Sequence, residues 1–411
     1  MKKKVLICGA GASGTLLAIL LARAGVAVTI LERRADLAKK LLVSGNGKCN
    51  ISNRHISPKR YHSNSKDAIH KILAGFGADE VIKLFKTLAL EITEETQGRL
   101  YPSSFSAKSL IGLLKFELEM LKVKIEFDTE VKKIEKKGSK FFVETTKDFF
   151  EGYYLVLATG SEAMPKVGGS ATGLELAKRL KHKIIKPLPS LVPFESDKRW
   201  PKLLAGLKID ARVKAISNNK KELSSKRGDL LFTKYGLSGL AILDLSATLS
   251  LVLESGDKVY VAVDIFPDLS TDKLKTLLKS RIKKSRAMPI PLWLGGLVHP
   301  NLAKVLSKEF GLEMKNEADL NQRVVSNLAY DLKNLKIPIK KSRGFEWAEV
   351  ALGGVSLEEI NVKTLESKLH KNLYFAGEIL DVCGDRGGFN LHFAWVSAIK
   401  VSREILKREE V

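Results

Sequence analysis

The sequence predicts an α/β protein whose parallel sheet begins near the amino terminus. Three observations support this prediction: an uninterrupted apolar run, a glycine frame of the form G-x-G-x-x-G, and a segment with helical apolar spacing. These are, in order, Val5–Cys8; Gly9, Gly11 and Gly14; and residues 15–24. A short apolar run without polar alternation is typical of a strand that is buried on both faces. The chain therefore opens with a strand, a glycine turn and a helix.

The glycine frame predicts a site for the pyrophosphate of a dinucleotide. Its first glycine permits a tight turn, its second lets a phosphate approach the backbone, and its third lets the helix pack closely on the strand. A second predicted strand, residues 26–31, ends at Glu32, near the spacing of about 20 residues at which a carboxylate reaches a ribose hydroxyl. This order of elements favours an adenine dinucleotide; the alternative is an ordinary βαβ unit with a tight turn.

Length and composition fit an enzyme of two or three lobes, because 411 residues with 45% hydrophobic content can bury a large core. The three cysteines, Cys8, Cys49 and Cys383, are too few and too scattered for a disulfide framework. They favour a reducing, cytoplasmic location. No apolar run of about 18 residues predicts a membrane span. No Cys/His spacing indicates a metal site, so we predict none.

The net charge of +23 would by itself favour a nucleic-acid partner. However, the basic residues form separate clusters that are interrupted by acidic residues, and no aromatic residues are interleaved for base stacking. We therefore expect a basic, solvated surface rather than a nucleic-acid site. The clusters are Lys132, Lys133, Lys136 and Lys137; Lys220, Lys221, Lys226 and Arg227; and Arg281, Lys283, Lys284 and Arg286.

Short strands follow in the second quarter of the chain. Residues 124–127, 130–136, 140–145 and 148–151 predict a meander, and residues 153–158 predict another buried strand. That strand ends in Ala158-Thr159-Gly160. Together with the opening βαβ unit, this is the layout of flavoproteins built like glutathione reductase, in which the turn returns the chain to the dinucleotide. The alternative is a simple strand-to-loop turn.

The carboxyl-terminal region predicts a second glycine turn before a helix. A short strand over residues 373–376 precedes Gly377 and Glu378, and a glycine-rich loop over 384–390 opens a helix over about 391–407. The positive end of that helix should face something anionic, which in a flavoprotein is the N1–C2=O edge of the isoalloxazine. The acidic side chain of Glu378 would suit the ribityl hydroxyls. The alternative is an ordinary capped helix.

Seven sequence blocks occur in order over almost the whole chain: KLLVSGNGKCN at 40–50, GRLYP at 98–102, PLPSLVP at 187–193, LFTKYGLSG at 231–239, GGV at 353–355, LYFAGEILD at 373–381 and GGFNL at 387–391. They resemble the motifs of the BaiN-type, aminoacetone-oxidase family of FAD-dependent oxidoreductases. Lys48 stands where that family usually has arginine, Leu240 replaces a proline, and residues 168–173 lack a customary aspartate. These departures concern the substrate side more than the cofactor side.

The resemblance implies a glutathione-reductase-like, Rossmann-type FAD-binding domain made from both ends of the chain, residues 1–189 and 346–411. An inserted lobe would occupy residues 190–345. The sequence of that lobe predicts a small β-barrel over about 190–268, with strands at 207–216, 230–233, 241–246 and 258–266, and helices over about 270–340. Residues 345–355 are predicted to return as a strand toward the flavin.

The expected FAD-binding residues come from the motifs and from the segments beside them, whereas no catalytic residue is identified. Cys49 is interpreted as a small side chain packed beside the ring, since no partner cysteine or patterned histidine favours a thiol nucleophile. The expected set is Gly9, Gly11, Ala12, Ser13, Gly14, Glu32, Arg33, Lys40, Ser44, Gly45, Gly47, Lys48, Cys49, Asn50, Val131, Ala158, Thr159, Gly160, Gly377, Glu378, Asp381, Gly388, Phe389, Asn390 and Leu391.

The function expected from these features is hydride exchange between bound FAD and a small organic substrate, with NAD(P)H as the external partner. No second convincing glycine frame precedes an acid-terminated strand, so NAD(P)H would dock transiently, or oxygen would reoxidise the flavin. Two alternatives stay open. One is a flavin-dependent RNA-modifying enzyme, and the other is a non-catalytic flavin-binding protein. Neither the substrate nor the oligomeric state follows from the sequence.

Overall fold

A computed structural model describes residues 3–282 and 287–409. The chain divides into two compact units, the first made of Met1–Leu188 and Glu349–Val411 and the second of Pro189–Ala348. Three basic residues of the third charge cluster, Lys283, Lys284 and Arg286, lie outside the described residues.

The strands of the described residues follow the chain in one order. They are β1 Val5–Cys8, β2 Val28–Leu31, β3 Ser52–Asn53, β4 Tyr61–His62, β5 Ile92–Glu95, β6 Arg99–Pro102, β7 Lys124–Glu126, β8 Val131–Lys137, β9 Lys140–Thr145, β10 Phe149–Gly152, β11 Tyr154–Leu157, β12 Ile184–Ser190, β13 Phe194–Glu195, β14 Lys208–Ser217, β15 Glu222–Phe232, β16 Gly236–Ser238, β17 Val259–Asp264, β18 Leu335–Ile339, β19 Lys341–Ser342, β20 Val350–Val355, β21 Leu373–Phe375 and β22 Cys383–Gly384.

The α-helices of the described residues are distributed along the chain between these strands and after the last of them. They are α1 Ala12–Arg23, α2 Lys39–Val43, α3 Lys66–Leu73, α4 Ala78–Lys86, α5 Ala107–Met120, α6 Thr172–Arg179, α7 Arg199–Lys202, α8 Leu240–Glu254, α9 Thr271–Ile282, α10 Ile290–Gly295, α11 Pro300–Glu309, α12 Gln322–Leu332 and α13 Phe389–Glu409. Within the described residues, none of these helices has the length and apolar character needed to cross a membrane.

The first unit is organised around a five-stranded parallel sheet in the order β21-β11-β1-β2-β7. Every side chain of β1 is buried, as expected for a central strand covered on both faces. The predicted βαβ start and the strand before the ATG turn are thereby confirmed. The placement of residues 124–127 in the meander was wrong, because β7 pairs with β2 at the edge of this sheet. Only β8, β9 and β10 form the meander.

The carboxyl-terminal helix α13 completes the core of the first unit. It packs against α1, although the two helices are at opposite ends of the chain. The Trp395 side chain is fully buried, its Nε1 donates to the Ile51 carbonyl at 3.0 Å, and its ring meets Phe85 edge-on at 5.1 Å between centroids. A helix buried this deeply positions its amino-terminal turn firmly, and that turn carries the second glycine motif.

The second unit contains a seven-stranded sheet in the order β18-β17-β14-β15-β16-β13-β19, with antiparallel neighbours throughout. Its two end strands, β18 and β19, are separated only by Lys340, whose N–H donates to the Glu195 carbonyl at 2.8 Å. One continuous segment, residues 335–342, therefore pairs with both ends of the sheet and closes it, whereas the sequence predicts the barrel within about 190–268 and helices over about 270–340. Helices α9 to α12 all precede this closing segment in the chain.

Two strand predictions differ from the structure, one in the type of element and one in where the strand begins. Residues 241–246 belong to helix α8, in which Ala241, Ile242, Leu245 and Leu249 are buried at helical spacing. A short apolar run fits the spacing of a strand as well as that of a helix, so the sequence of this segment does not distinguish the two. Leu240 is the first residue of this helix, a position where proline is also well tolerated. The strand expected over residues 345–355 begins only at β20, because the preceding residues form turns, including a bond from the Trp347 N–H to the Gly344 carbonyl.

A buried ion pair in the second unit predicts a large stability effect. Lys333 Nζ lies 2.7 Å from Asp264 Oδ2 and also donates to the Phe266 carbonyl, and only 10% and 12% of the two side chains are exposed. Replacing Lys333 by Met leaves the Asp264 carboxylate buried without its cation. We expect the free energy of unfolding in urea to fall by about 3–5 kcal/mol.

The matched control is Lys340→Met, because Lys340 contacts Asp197 at 3.1 Å with both side chains more than half exposed. This exposed pair should change the free energy of unfolding by about 0–1 kcal/mol. Equal effects of the two substitutions would show that the burial of the Lys333 pair is unimportant.

Candidate flavin site

The three glycines after β1 have different neighbours. A Cβ on Gly9, whose φ is +105°, would lie 2.6 Å from the Ala158 carbonyl oxygen, and a Cβ on Gly14 would lie 2.0 Å from the Gly9 carbonyl oxygen. Both positions are therefore closed to side chains by backbone packing. A Cβ on Gly11 meets no protein atom within 4 Å. The turn thus leaves open space at the one glycine that a phosphate is expected to approach.

Helix α1 begins directly after this open space. Gly11 precedes the helix without a side-chain cap, and no acidic side chain occurs in the first turn. The N–H groups of Ala12, Ser13 and Gly14 have no intrahelical acceptor, because the helix starts here. This positive helix end suits a bound anion.

The Glu32 carboxylate braces the glycine turn. Its Oε2 accepts from the Ala10 N–H at 2.7 Å, and its Oε1 accepts from the Arg34 N–H at 2.8 Å. Segment 129–131 runs beside it, since the Thr129 N–H donates to the Glu32 carbonyl at 2.8 Å, and this brings the buried Val131 to the same sheet end. The next residue, Arg33, donates from its Nη2 to the Gly168 carbonyl at 3.1 Å.

The backbone of the ATG turn lies beside the glycine turn. The Ala158 N–H donates to the Cys8 carbonyl at 2.9 Å, which continues the parallel pairing. Thr159 Oγ1 is buried without a hydrogen-bond partner among the described residues, and it faces helix α6, 1.7 Å from the position of a Cβ on Gly173. Gly160, with φ of +71°, leaves open space beyond it. The open space at Gly11 and at Gly160 leaves room for a bound group at these strand ends, so the residues present fit a dinucleotide.

The Glu378 carboxylate joins three other segments. Its Oε2 accepts from Lys40 Nζ at 2.7 Å. Its Oε1 accepts from Ser161 Oγ at 2.8 Å and from the Ala351 N–H at 3.1 Å. Gly377 just before it packs so closely on α1 that a Cβ would lie 2.5 Å from Ser13 Oγ. Glu378 thus connects three segments of the site through hydrogen bonds from protein donors. Its expected contact with the ribityl chain stays a prediction.

Asp381 ends the same segment as a buried carboxylate. Its Oδ2 accepts from the Asn64 N–H at 2.9 Å and from Ser63 Oγ at 3.2 Å. Burial raises the pKa of Asp381, while these hydrogen bonds oppose that rise.

The loop between α2 and β3 contains four residues in the left-handed region. They are Gly45, Asn46, Gly47 and Cys49, with φ of 56°, 55°, 82° and 59°. Ser44 begins the loop and donates to the Leu41 carbonyl at 2.8 Å. Lys48 is exposed, with Nζ 5.3 Å from the centre of the Phe105 ring. The loop is a tight, specific turn rather than a flexible connection.

Asn50 ties this loop to the glycine turn before α13. When its amide is oriented to satisfy its neighbours, the nitrogen donates to the Ser52 carbonyl at 2.9 Å and to the Leu100 carbonyl at 3.2 Å. The amide oxygen then accepts from the Gly388 N–H at 3.2 Å. The Gly388 N–H is therefore satisfied within the protein, so the donors that a ligand could use are those that follow it.

The turn before α13 is closed to side chains. Gly387 and Gly388 have φ of +118° and +96°, and a Cβ on Gly388 would lie 2.3 Å from the Ser52 carbonyl oxygen. Phe389 is buried, and the Asn390 amide exchanges hydrogen bonds with the backbone of Gly384 at 2.7 and 2.8 Å. The N–H groups from Phe389 to Leu391 begin the helix and have no intrahelical acceptor.

One polar cluster near this turn was not predicted from the sequence. Asp385 contacts Arg60 Nε at 3.1 Å and His62 Nε2 at 3.1 Å, and the Arg60 guanidinium lies 4.6 Å from the centre of the Phe389 ring. The pairing of β4 with β22 brings these residues together across more than 300 positions. No local motif marks such a contact, so only the fold could reveal it.

All the predicted site residues lie in the first unit and form two connected groups. One group is at the carboxyl ends of β1, β2 and β11, and the other comprises the loop at 44–50 and the turn at 387–391. The Glu378 carboxylate connects them, because it pairs with Lys40 of helix α2, which leads into the loop, and accepts from Ser161 beside the ATG turn. The Asn50–Gly388 hydrogen bond joins the loop to the turn within the second group. Among residues 3–282 and 287–409, no group of three or more His, Cys, Asp or Glu side chains could hold a metal ion.

The burial of Cys49 predicts that its thiol is not essential. The side chain is fully buried, and burial raises the pKa of Cys49 to about 11, so the thiol is protonated at neutral pH. Cys49→Ala should keep its flavin and retain turnover within about twofold of the wild type. Flavin absorbance and steady-state rates measure both properties. Loss of turnover in a variant that retains flavin would instead assign chemistry to the thiol.

Known proteins resemble this chain over almost its full length. The sequence matches the family described as HI0933-like protein Rossmann domain over residues 3–404. It is 30% identical over 405 residues to a 3-dehydro-bile acid delta(4,6)-reductase of Clostridium scindens, with 98% of each chain covered. It is 28% identical over 410 residues to a ribosomal RNA dihydrouridine synthase of Haemophilus influenzae, again with 98% of each chain covered.

A solved structure shares the fold. A 3-ketosteroid delta1-dehydrogenase from Sterolibacterium denitrificans superposes with a TM-score of 0.53 at 11% sequence identity, covering 99% of this chain and 100% of that chain. At this identity the likeness concerns the fold alone. The family match spans both ends of the chain and agrees with the resemblance seen in the motifs. The chain belongs to the HI0933-like Rossmann-domain family and is a flavin-dependent oxidoreductase.

Proposed function

We propose that the first unit holds FAD at the expected site residues and exchanges a hydride between the flavin and a small organic substrate. Bound FAD would supply the two-electron chemistry, while the protein binds, orients and shields the reacting groups. In this proposal residues 1–189 and 346–411 form the FAD-binding domain, and residues 190–345 form an inserted lobe. The observation that carries the proposal is the open glycine turn connected to a second glycine turn in the same unit.

The amino-terminal elements would bind the adenosine diphosphate part. The open space at Gly11 admits a phosphate, and the first turn of α1 offers N–H donors to it. Glu32 holds the turn in shape and lies at the strand end where a ribose is expected.

The carboxyl-terminal turn would act on the ring. The N–H groups of residues 389–391 stand at the positive end of a buried helix of 21 residues. Donors fixed in this way favour negative charge on a bound group without reorganising. Asn50 and Asn390 hold the backbone that presents these donors, because each is hydrogen-bonded to the turn or to the loop before it.

The names of the relatives describe reactions of one kind. A bile acid delta(4,6)-reductase and a dihydrouridine synthase both act on a carbon–carbon double bond conjugated to a carbonyl group. We therefore extend the proposal to reduction of such a bond in a small molecule, with NAD(P)H as the external electron donor. The second glycine frame of a dedicated nicotinamide domain is missing, so NAD(P)H would dock transiently. The three buried free cysteines suit a cytoplasmic location.

The second candidate is a flavin-dependent RNA-modifying enzyme. The ribosomal RNA dihydrouridine synthase covers 98% of this chain, and the net charge of +23 suits a polyanion. Ion pairs weaken the charge argument, because Lys132 contacts Glu130, Lys133 contacts Glu135, and Arg227 contacts both Asp210 and Asp268. The small-molecule proposal is therefore preferred, and binding to RNA becomes a measurable alternative.

Anaerobic reduction of the bound flavin tests the proposed function. NADH or NADPH should bleach the visible absorbance of the purified protein, and a cyclic enone should restore it. Ribosomal RNA fragments added at low salt should neither restore the colour nor bind with the steep salt dependence of a phosphate-binding protein. Reoxidation by RNA would favour the second candidate. Flavin that no donor reduces would favour a non-catalytic flavin-binding protein.

The open space at Gly11 makes a selective test of the cofactor site. Gly11→Ala adds a methyl group that meets no protein atom, at a backbone φ of −75° that alanine readily adopts. The protein without cofactor should fold normally, whereas FAD should bind with a loss of about 1.4 kcal/mol or more, a tenfold increase in Kd. Titration with FAD and analysis of the released flavin measure this effect.

Gly112→Ala is the matched control for this substitution. Gly112 lies in helix α5, is exposed, and likewise leaves a Cβ in open space. It should bind FAD with the affinity of the wild type. Unchanged FAD affinity in Gly11→Ala would contradict the placement of the pyrophosphate, and release of FMN alone from the wild type would exclude an adenosine diphosphate site.

A further inference from the structure

Four residues of the GRLYP block, Arg99–Pro102, form strand β6, which the proposed function leaves without a role. In β6, Arg99 is paired with Asn53 of β3 and with Glu95 of β5. Leu100 and Pro102 are buried, whereas Arg99 and Tyr101 are half-buried. Because alternate residues of a strand point to opposite faces, Arg99 and Tyr101 share one face.

This face of β6 borders both segments assigned to the flavin ring. The Arg99 Nε lies 3.9 Å from the position of a Cβ on Gly387, in the turn before α13. The Tyr101 ring lies 3.3 Å from the position of a Cβ on Gly45, in the loop at 44–50. The Asn53 Nδ2 donates to the Gly387 carbonyl at 2.9 Å and so fixes β3 and β6 against the turn. Arg99 therefore stands at the edge of the ring end of the site.

Arg99 is a cation without an acidic partner among the described residues. Its Nη2 donates to the neutral Gln97 Oε1 at 2.5 Å. By contrast, nearby Arg54 contacts Asp79 at 2.5 Å and Glu94 at 2.9 Å, and Arg60 contacts Asp385. A guanidinium has five N–H donors, so most of those on Arg99 are available for a ligand oxygen.

We infer that Arg99 binds the substrate carbonyl oxygen that is conjugated to the double bond being reduced. The inference rests on the proposed function. It identifies the substrate group that Arg99 contacts as the conjugated carbonyl. Addition of hydride to the β-carbon moves the electron pair of the double bond onto the carbonyl oxygen, which becomes an enolate. Arg99 donates a charge-assisted hydrogen bond to that oxygen, and the α-carbon then takes a proton from water as the carbonyl re-forms.

Binding of a phenolate to the oxidised, FAD-loaded protein tests this assignment without turnover. 4-Nitrophenolate is the probe, because it is planar and carries its negative charge on a ring-conjugated oxygen like that of an enolate. Its dissociation constant is measured from the change in flavin absorbance for the wild type, Arg99→Met and Arg99→Lys. We expect Arg99→Met to weaken binding by about tenfold or more and Arg99→Lys to be intermediate, because lysine keeps the charge but loses the fork of donors.

The matched control is Arg54→Met, which removes one positive charge from the same region but from an arginine that already has two acidic partners. It should bind the phenolate like the wild type. The inference is overturned if Arg99→Met binds within about twofold of the wild type, if the control weakens binding equally, or if the wild type does not bind the phenolate. Loss of FAD from both Arg99 variants would assign Arg99 to cofactor retention and also overturn it.

Failure of the proposed function is distinguishable from failure of this inference. The proposed function fails when the wild type lacks FAD or when neither nicotinamide nucleotide reduces it. The phenolate titration needs only oxidised, loaded protein, so dependence on Arg99 can be established even when no electron donor is effective.

Discussion

The candidate site depends on one carboxylate. Glu378 accepts hydrogen bonds from Lys40, Ser161 and Ala351, three residues that are distant from one another in the sequence. Its side chain is only 19% exposed, so each of these bonds is formed with little competition from water. The segments that it joins are helix α2 before the loop at 44–50, the residue after the ATG turn, and strand β20 at the start of the carboxyl-terminal part. A partly buried charge with three donors fixes their positions more specifically than apolar contact would.

Much of the fold could be predicted because its signals are local. The buried strand, the glycine frame and helix α1 each follow from residue types at short spacing, and the structure confirms them. Residues 241–246 show the limit of such reasoning, because their short apolar run fits a strand as well as a helix. The helix is recognisable only when Leu249, which is buried on the same face, is included. Strand β7 shows a second limit, since its residues predict a strand but not the strand with which it pairs.

The candidate site was only partly predictable, for a related reason. Glycines that are closed by backbone contacts, such as Gly9 and Gly14, are recognisable from their spacing. The roles of side chains are not, because Glu32 and Glu378 turn out to brace backbone donors within the protein. The Arg60–Asp385 contact arises only when remote strands pair. That Arg99 has no acidic partner in the described part of the chain is likewise visible only in the fold.

The order of the units along the chain has a consequence for synthesis. The second unit is continuous in sequence, whereas the first lacks strand β21 and helix α13 until residues beyond the second unit have been made. Because β21 is an edge of the parallel sheet and α13 covers α1, a ribosome-bound chain can complete the second unit first. The candidate site is therefore assembled only after residues 373–391 have emerged from the ribosome, later than the second unit.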